Sequence, residues 1–244
     1  MKNESIRLVC LLWLSLVILA SLGCIQRGEQ PGPMQNESRS VPLEDVKSVN
    51  AKVVIGAGML ALEGGAKNLM DANFIYNIAS WKPDVSYSVS NGVGNLQVHQ
   101  GSGGGVSQMG HVRNDWNLRF NDEVPINLAV DFGAGEGVLH FGGLFLTGLA
   151  VKSGASKLTS DFDGIWKNDL NASIESGVGE LSIVLPQHTG AIVKVSQGIG
   201  NTEVGSGLKA NGNYYINDAY GKTGTTLRID AKSGIGKTKL SLAP

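Results

Sequence analysis

The segment that most resembles a ligand-binding motif is AKSGIGKT, residues 231–238. It fits a relaxed phosphate-binding loop, in which backbone N–H groups and a lysine hold nucleotide phosphates between a strand and a helix. The residues that follow, KLSLAP, alternate in polarity and end in proline, which predicts a strand rather than a helix. We therefore interpret residues 231–238 as a glycine turn and predict neither a nucleotide site nor a cofactor.

Carboxylates and histidines are the next candidates for chemistry. Calcium binds clusters of oxygen ligands, and one stretch is rich in acidic residues, although its spacing fits no calcium loop: Asp122, Glu123, Asp131 and Glu136. Four histidines have neither metal-ligand spacing nor a clear acidic partner: His99, His111, His140 and His188. The sequence predicts solvated turn carboxylates and surface histidines, and therefore no catalytic residue and no metal site.

Several aromatic residues lie near predicted turns: Trp81, Trp116, Trp166 and the pair Tyr214-Tyr215. Aromatic side chains there can stack on sugars, or they can fill corners and cover the ends of a fold. We predict the second role and keep carbohydrate binding as the alternative. The balance of 20 basic against 21 acidic residues, without a basic stripe, argues against a nucleic-acid partner.

The amino-terminal residues carry a targeting signal. A basic segment followed by an apolar run predicts a secretory signal peptide over residues 1–23. The sequence Ser21-Leu22-Gly23-Cys24 resembles a lipoprotein cleavage site and predicts a lipidated Cys24 as the membrane anchor. An uncleaved signal anchor is the alternative, and either arrangement places the rest of the chain outside the cytoplasmic membrane. Cys10 is the other cysteine, so the remainder of the chain has no disulfide.

Residues 24–45 are rich in Gln, Pro, Gly, Ser and charge, which predicts a flexible tether. Asn36 and Asn171 fit the acceptor pattern for N-glycosylation. That pattern is frequent by chance, so whether either asparagine is glycosylated stays open.

A Gly-x-Gly motif with a small or aliphatic middle residue recurs along the rest of the chain. Its first glycines are Gly56, Gly92, Gly133, Gly177, Gly198 and Gly234, with a degenerate copy at Gly154. Alternating residues follow the glycines, as in Leu181-Ser182-Ile183, which predicts a half-buried strand after each turn. Stacked copies would bury a continuous core. The sequence therefore predicts an all-β fold, a right-handed parallel β-helix (β-solenoid), with a β-sandwich as the alternative.

The stretch from about Val53 to Asp131 resembles the toast-rack family of bacterial and archaeal envelope proteins. Three segments carry the resemblance: Trp81-Lys-Pro-x-Val, Gly92-x-Gly-x-Leu and Asn114-x-Trp-x-Leu-x-Phe. Residues 121–244 are similar to the glycine-cornered repeats of adhesin-type and cell-wall-antibiotic-response domains. The resemblance implies an envelope β-solenoid with a toast-rack-like part at 46–130 and glycine-cornered repeats at 131–244. It implies no catalytic residue.

These observations predict a non-enzymatic, membrane-tethered protein of the cell surface that binds another envelope component, either a protein or a glycan. The alternative is an extracytoplasmic sensing or regulatory subunit of an envelope-stress system. A polysaccharide-acting enzyme on a β-helix is the third possibility, and it would need paired carboxylates on one coil face. An exposed apolar patch would instead favour protein binding, and a row of aromatic residues would favour glycan binding.

Overall fold

The computed structural model describes residues 28–103, 106 and 111–244. The predicted signal peptide at 1–23 and Cys24 lie outside these residues. The described chain is all-β, as predicted, and a single turn of 3-10 helix, Ala79–Trp81, precedes β4. The strands are β1 Gln35–Val41, β2 Ser48–Glu63, β3 Met70–Tyr76, β4 Pro83–Ser90, β5 Val93–Gln100, β6 Asn114–Phe120, β7 Ile126–His140, β8 Leu146–Asp161, β9 Leu170–Leu185, β10 Gly190–Val204, β11 Lys209–Asn211, β12 Tyr214–Ile216 and β13 Thr226–Leu242.

Six long strands form the body of the molecule by pairing in parallel, in the spatial order β2-β7-β8-β9-β13-β10. They belong to one open sheet, which is mixed because antiparallel strands extend it at both ends. β13 is the last strand in the chain, yet it lies between β9 and β10 and pairs with both. The stack therefore departs from chain order at this end, a feature that the repeat pattern does not indicate.

Each long strand turns at its Gly-x-Gly motif or, in β8, at the degenerate copy. We call this turn the corner, and it divides the strand into a first arm and a second arm. In β9, the first arm buries Ala172 and Ile174, whereas the second arm buries Leu181 and Ile183. The buried positions shift from even to odd numbers across the corner, and both sets join one hydrophobic core. The half-buried strands predicted after the glycines are confirmed here.

The second glycine of a corner allows neighbouring strands to approach closely. In β7, Gly135 has a φ of +126°, a conformation that L side chains rarely adopt. A Cβ atom on Gly135 would collide with the carbonyl oxygen of Gly58 in β2. The strand spacing at the corner therefore depends on the absence of a side chain at this position.

Two shorter strands continue the stack at its amino-terminal end. β5 pairs with the first arm of β2, and β6 pairs with its second arm. Antiparallel strands then close this end, with β4 beside β5 and with β3 followed by β1 beside β6. The tether predicted for residues 24–45 is wrong for residues 35–41, because β1 pairs with β3 along all seven residues.

The motif at Gly92 is not a corner, which corrects the repeat interpretation. Asn91 and Gly92 have φ values of 53° and 75° and connect β4 to β5 as a two-residue hairpin turn. An Asn-Gly pair suits such a turn because both positions tolerate positive φ. By contrast, the long interval between Gly198 and Gly234 contains an inserted hairpin, β11–β12.

Candidate functional site

A row of aliphatic side chains runs along the corners of the six long strands. It is half-buried at Ala57 and Ala134 and exposed along the other four strands. The middle residues of the Gly-x-Gly motifs pair in register, so that they form one line across the stack. In spatial order the residues of this corner ridge are Ala57, Ala134, Ala155, Val178, Ile235 and Ile199. At about 4.8 Å per strand, the ridge is roughly 24 Å long.

The corner ridge becomes larger and more apolar toward the carboxyl-terminal end of the stack. Three alanines occupy one half, and the other half consists of Val178, Ile235 and Ile199. These three side chains are 49%, 50% and 71% exposed. Single exposed aliphatic residues are normal on a protein surface, whereas contiguous ones are typical of an interaction surface.

Residues of alternating charge border the corner ridge on both sides. On the first-arm side the row is Asp131, Lys152, Glu175 and Lys232, and on the second-arm side it is Glu136, Lys157, Glu180 and Lys237. Neighbouring strands place opposite charges together, as in the 3.0 Å contacts from Lys157 Nζ to Glu136 Oε1 and from Lys232 Nζ to Glu175 Oε1. The borders are therefore polar but close to neutral, and they leave the apolar line between them uncovered.

Lysines lower the pKa of two of these carboxylates, Glu175 and Glu180. Hydrogen bonding from Lys232 lowers the pKa of Glu175 below its usual range. A similar bond from Lys239 Nζ to Glu180 Oε1, 2.7 Å long, lowers the pKa of Glu180. Both carboxylates act as hydrogen-bond acceptors in ion pairs at neutral pH, which is a poor arrangement for general acid chemistry.

A groove of about 410 Å³ lies on the outer face of the second arms, near the amino-terminal end of the stack. Met59, Ile75 and Val138 give it apolar walls, and Asn73 and Asn117 contribute amides. Its size falls within the range of small-molecule sites.

A second depression, of about 330 Å³, lies on the outer face of the first arms at the other end of the stack. Tyr214 and Tyr220 line it together with Arg228, Asp230 and Asn171. Half-exposed tyrosines beside charged groups provide both stacking surfaces and hydrogen-bonding groups. The structure thus places Tyr214 of the predicted aromatic pair in a concave surface, while Tyr215 packs against the core.

The phosphate-loop candidate, residues 231–238, lies within β13, so the predicted strand after the glycines is confirmed. Thr238 is buried at an inward-facing position and donates a 2.7 Å hydrogen bond from Oγ1 to Oε1 of Gln197. Lys237 pairs with Glu203 at 2.6 Å. Both side chains of the motif are therefore engaged within the stack.

Two histidines have acidic partners, which corrects the sequence analysis. His99 Nε2 lies 2.9 Å from Asp84 Oδ2, and His140 Nδ1 lies 3.0 Å from Asp161 Oδ2. In each pair the partners lie opposite each other on adjacent strands, a register that the sequence does not reveal. In the part of the chain that the structure describes, no three His, Cys, Asp or Glu side chains converge as metal ligands would.

The acidic stretch does not form a cluster. Asp131 and Glu136 lie on β7 and pair with Lys52 and Lys157, so the prediction of solvated turn carboxylates is wrong for these two residues. Asp122 and Glu123 precede β7 in a bend, as predicted. Asp131 and Glu136 are therefore engaged by lysines of the neighbouring strands and do not join Asp122 and Glu123 in one site.

The tryptophans differ from one another in their surroundings. Trp116 lies within β6 rather than near a turn, where it is buried against Phe74 with ring centroids 5.0 Å apart. Trp166 is buried in the connection from β8 to β9, and its Nε1 donates to the Phe162 carbonyl oxygen at 2.9 Å. Trp81 is half-buried at the end of the 3-10 helix. The prediction that these residues fill corners holds for Trp166 and is wrong for Trp116.

The corner ridge is the feature that sequence reasoning missed. The sequence shows the middle residues of the Gly-x-Gly motifs to be small or aliphatic. It does not show which motifs lie beside one another on neighbouring strands. Alignment of the corners in register would have placed the alanines, Val178, Ile235 and Ile199 in one line. Cys24, the predicted lipidation site, lies outside the described residues.

Comparison with known proteins gives a family match and a similar crystal structure. Residues 30–184 match the family model described as the N-terminal domain of toast_rack (DUF2154). Among curated proteins, no relative matches significantly. A candidate cell adhesion protein from Clostridium sporogenes has a similar crystal structure, with a TM-score of 0.82 and 28% identity over 86% of this chain and 100% of that chain.

Two further solved structures superpose less well. They are candidate adhesins from Bacteroides fragilis, with 13% identity and a TM-score of 0.35, and from Parabacteroides distasonis, with 12% identity and a TM-score of 0.30. They cover 87% and 88% of this chain, respectively, and each is covered over 100% of its own length. At these scores they add nothing to the functional argument.

Proposed function

The chain belongs to the toast_rack family, and from this premise we propose that it is a non-enzymatic, membrane-tethered scaffold of the cell surface that adheres to another envelope protein. The observation that carries the proposal is the corner ridge, whose exposed Val178, Ile235 and Ile199 lie in one line between near-neutral borders. An apolar surface with a polar rim is the arrangement that protein–protein interfaces use. The name of the similar Clostridium sporogenes protein, which refers to cell adhesion, supports the same role.

The test replaces the three large ridge residues by threonine: Val178→Thr, Ile199→Thr and Ile235→Thr. Threonine keeps the β-branched shape and the strand preference but removes apolar surface. The matched control is Ile165→Thr, because Ile165 is 83% exposed but lies outside the ridge, between β8 and β9. The assay measures binding of the purified full chain to intact cells that lack the protein.

The triple variant should bind at least about tenfold more weakly, because central apolar residues contribute most of the energy of an interface. The control should bind like the wild type. Equal binding by wild type and triple variant would reject the ridge as the adhesive surface.

The membrane tether is a separate part of the proposal. A lipidated Cys24, or an uncleaved signal anchor, would hold the scaffold at the outer side of the cytoplasmic membrane. The basic and apolar pattern of residues 1–23, which predicts a signal peptide, supports this location. No helix in the described part of the chain has the length and apolarity of a membrane-spanning segment.

We propose further that the parallel stack winds as a right-handed solenoid. From β7 to β9, consecutive long strands lie side by side in parallel and are joined by short connections. Connections between parallel strands of one sheet are right-handed in about 98% of known cases.

A sensing or regulatory subunit is the second candidate, and the groove beside Met59 favours it. A concavity of about 410 Å³ with apolar walls and two amides is large enough for a small ligand. The depression lined by Tyr214 and Tyr220 would suit a glycan in the same way. The corner ridge favours adhesion over sensing, because three exposed β-branched side chains, Val178, Ile235 and Ile199, lie side by side in it.

A further inference from the structure

The carboxyl-terminal end of the stack has an unpaired backbone edge. On its outer side, β10 pairs with β12 only over residues 192–194, and the Val195 N–H donates to the Asn213 carbonyl oxygen at 2.8 Å. Among the described residues, no strand pairs with the outer side of residues 200–204. The Gly205 N–H donates inward to the Leu240 carbonyl oxygen of β13 at 2.7 Å. Since backbone groups alternate along a strand, Thr202 and Val204 direct theirs outward.

The same end also leaves core positions uncovered. In β9 the inward residues of the second arm, Leu181 and Ile183, are fully buried. Their counterparts in β10 are Thr202, which is half-buried, and Val204, which is 39% exposed. Ile199, the most exposed residue of the corner ridge, lies beside them. At residues 200–204 an unpaired strand edge therefore coincides with an incompletely covered core. This combination is typical of a surface that binds another strand.

Within the described residues, the opposite end of the stack also finishes in unpaired backbone edges, but the core positions behind those edges are buried. Antiparallel β1 and β4 form its outer edges, and the inward residues behind them, Leu96 and Leu118, are buried. β4 begins with Pro83, and β1 carries Glu37 and Arg39, which are features that discourage edge pairing. A head-to-tail contact between the two unlike ends is therefore disfavoured. The alternative is a contact between the carboxyl-terminal ends of two copies, in which the two unpaired edges pair with each other.

We propose that the outer edge of residues 200–204 pairs antiparallel with the same edge of a second copy of this chain, centred on Thr202. This inference is independent of the proposed adhesive function. In this register Thr202 lies opposite Thr202 of the second copy, and Gly200 lies opposite its Val204. The Thr202 pair exchanges two backbone hydrogen bonds, because its outward-directed groups face each other.

The side chains agree with this register. Asn201 lies opposite Glu203 of the second copy, so an amide donor meets a carboxylate acceptor and the two glutamates do not oppose each other. Within its own chain Glu203 pairs with Lys237 at 2.6 Å and accepts a 3.4 Å hydrogen bond from Asn201 Nδ2, so its charge is compensated. The contact is isologous, so a closed dimer results rather than a filament.

The test measures the oligomeric state of the full chain, purified in detergent, by sedimentation velocity over a concentration series. Val204→Lys places a charge at the open edge and should weaken dimerisation at least about tenfold. Val89→Lys is the matched control, because Val89 is 40% exposed and lies on the edge strand β4 at the closed end. This control should dimerise like the wild type.

A second measurement tests the register and does not depend on the lysine variants. Thr202→Cys should form a covalent dimer on mild oxidation, because paired Cα atoms about 5.5 Å apart suit a disulfide. Ser38→Cys, on β1 at the closed end, should give no more covalent dimer than the wild type does through its native cysteines. A monomer at all concentrations, equal weakening by both lysine variants, or no added cross-link at residue 202 would each overturn the proposal.

Discussion

Replacing Gly135 by alanine should destabilise the fold more than the same change at a glycine without close neighbours. Gly135 has a φ of +126°, and a Cβ atom there would meet the Gly58 carbonyl oxygen of the adjacent strand. The unfavourable φ costs about 1–3 kcal/mol, and the forced separation of two strands costs about 1–3 kcal/mol more. Gly143 is the matched control, because its φ is +87° but nothing lies within 4 Å of an added Cβ.

The difference between Gly135→Ala and Gly143→Ala therefore isolates the close approach of the strands. At about 2–4 °C per kcal/mol for a domain of this size, the additional 1–3 kcal/mol should make the Gly135 variant melt roughly 2–12 °C below the Gly143 variant. Thermal unfolding followed by circular dichroism measures this difference. Equal melting temperatures would refute the argument that the corners set the strand spacing.

Three further predictions concern the core, the response to acid and the anchor. Leu181→Ala should lower the free energy of unfolding by about 2–5 kcal/mol in denaturant titrations, whereas the same change at Leu43, which is 39% exposed, should have a small effect. Hydrogen bonds from Ser40 and Asn68 lower the pKa of Asp71 below its usual 3.8. The ionised Asp71 carboxylate therefore stabilises the fold fully above pH 3.8, and this stabilisation is lost as the pH falls through the folded-state pKa. The melting temperature of Asp71→Asn should accordingly fall less on acidification than that of the wild type. An equal fall in both proteins would contradict this. Intact mass of membrane-purified protein should show a chain that begins at Cys24 and carries lipid, and this chain should partition into detergent. Cys24→Ala should lack the lipid mass. Retention of residues 1–23 in both proteins would indicate a signal anchor instead.

The local features of the fold could be predicted from the sequence because they depend on neighbouring residues. The alternation at Leu181 and Ile183 indicates a strand with one buried face, and the glycines before it indicate a turn. The alternation of KLSLAP likewise excludes a helix after residue 238, and β13 continues there to Leu242. Asn91-Gly92 also carries a local hairpin signal, which the repeat interpretation overlooked.

The features that depend on which strands meet could not be predicted from one sequence. Insertion of β13 between β9 and β10 leaves no trace in the local pattern of either strand. The pairing of His140 with Asp161 follows from the register of β7 with β8, and the alignment of Val178 with Ile235 follows from that of β9 with β13. β1 was missed because its residues, QNESRSV, are almost all polar and exposed, so they give no buried-face signal.

The measurement that tests the central claim most directly is photo-cross-linking in living cells from a single residue of the corner ridge. A photoreactive amino acid replaces Val178 in one strain and Ile165, which is exposed outside the ridge, in another. The adhesive scaffold predicts a discrete adduct with an envelope protein from position 178 and none from position 165. The same adducts from both positions, or no protein adduct from position 178, would contradict it.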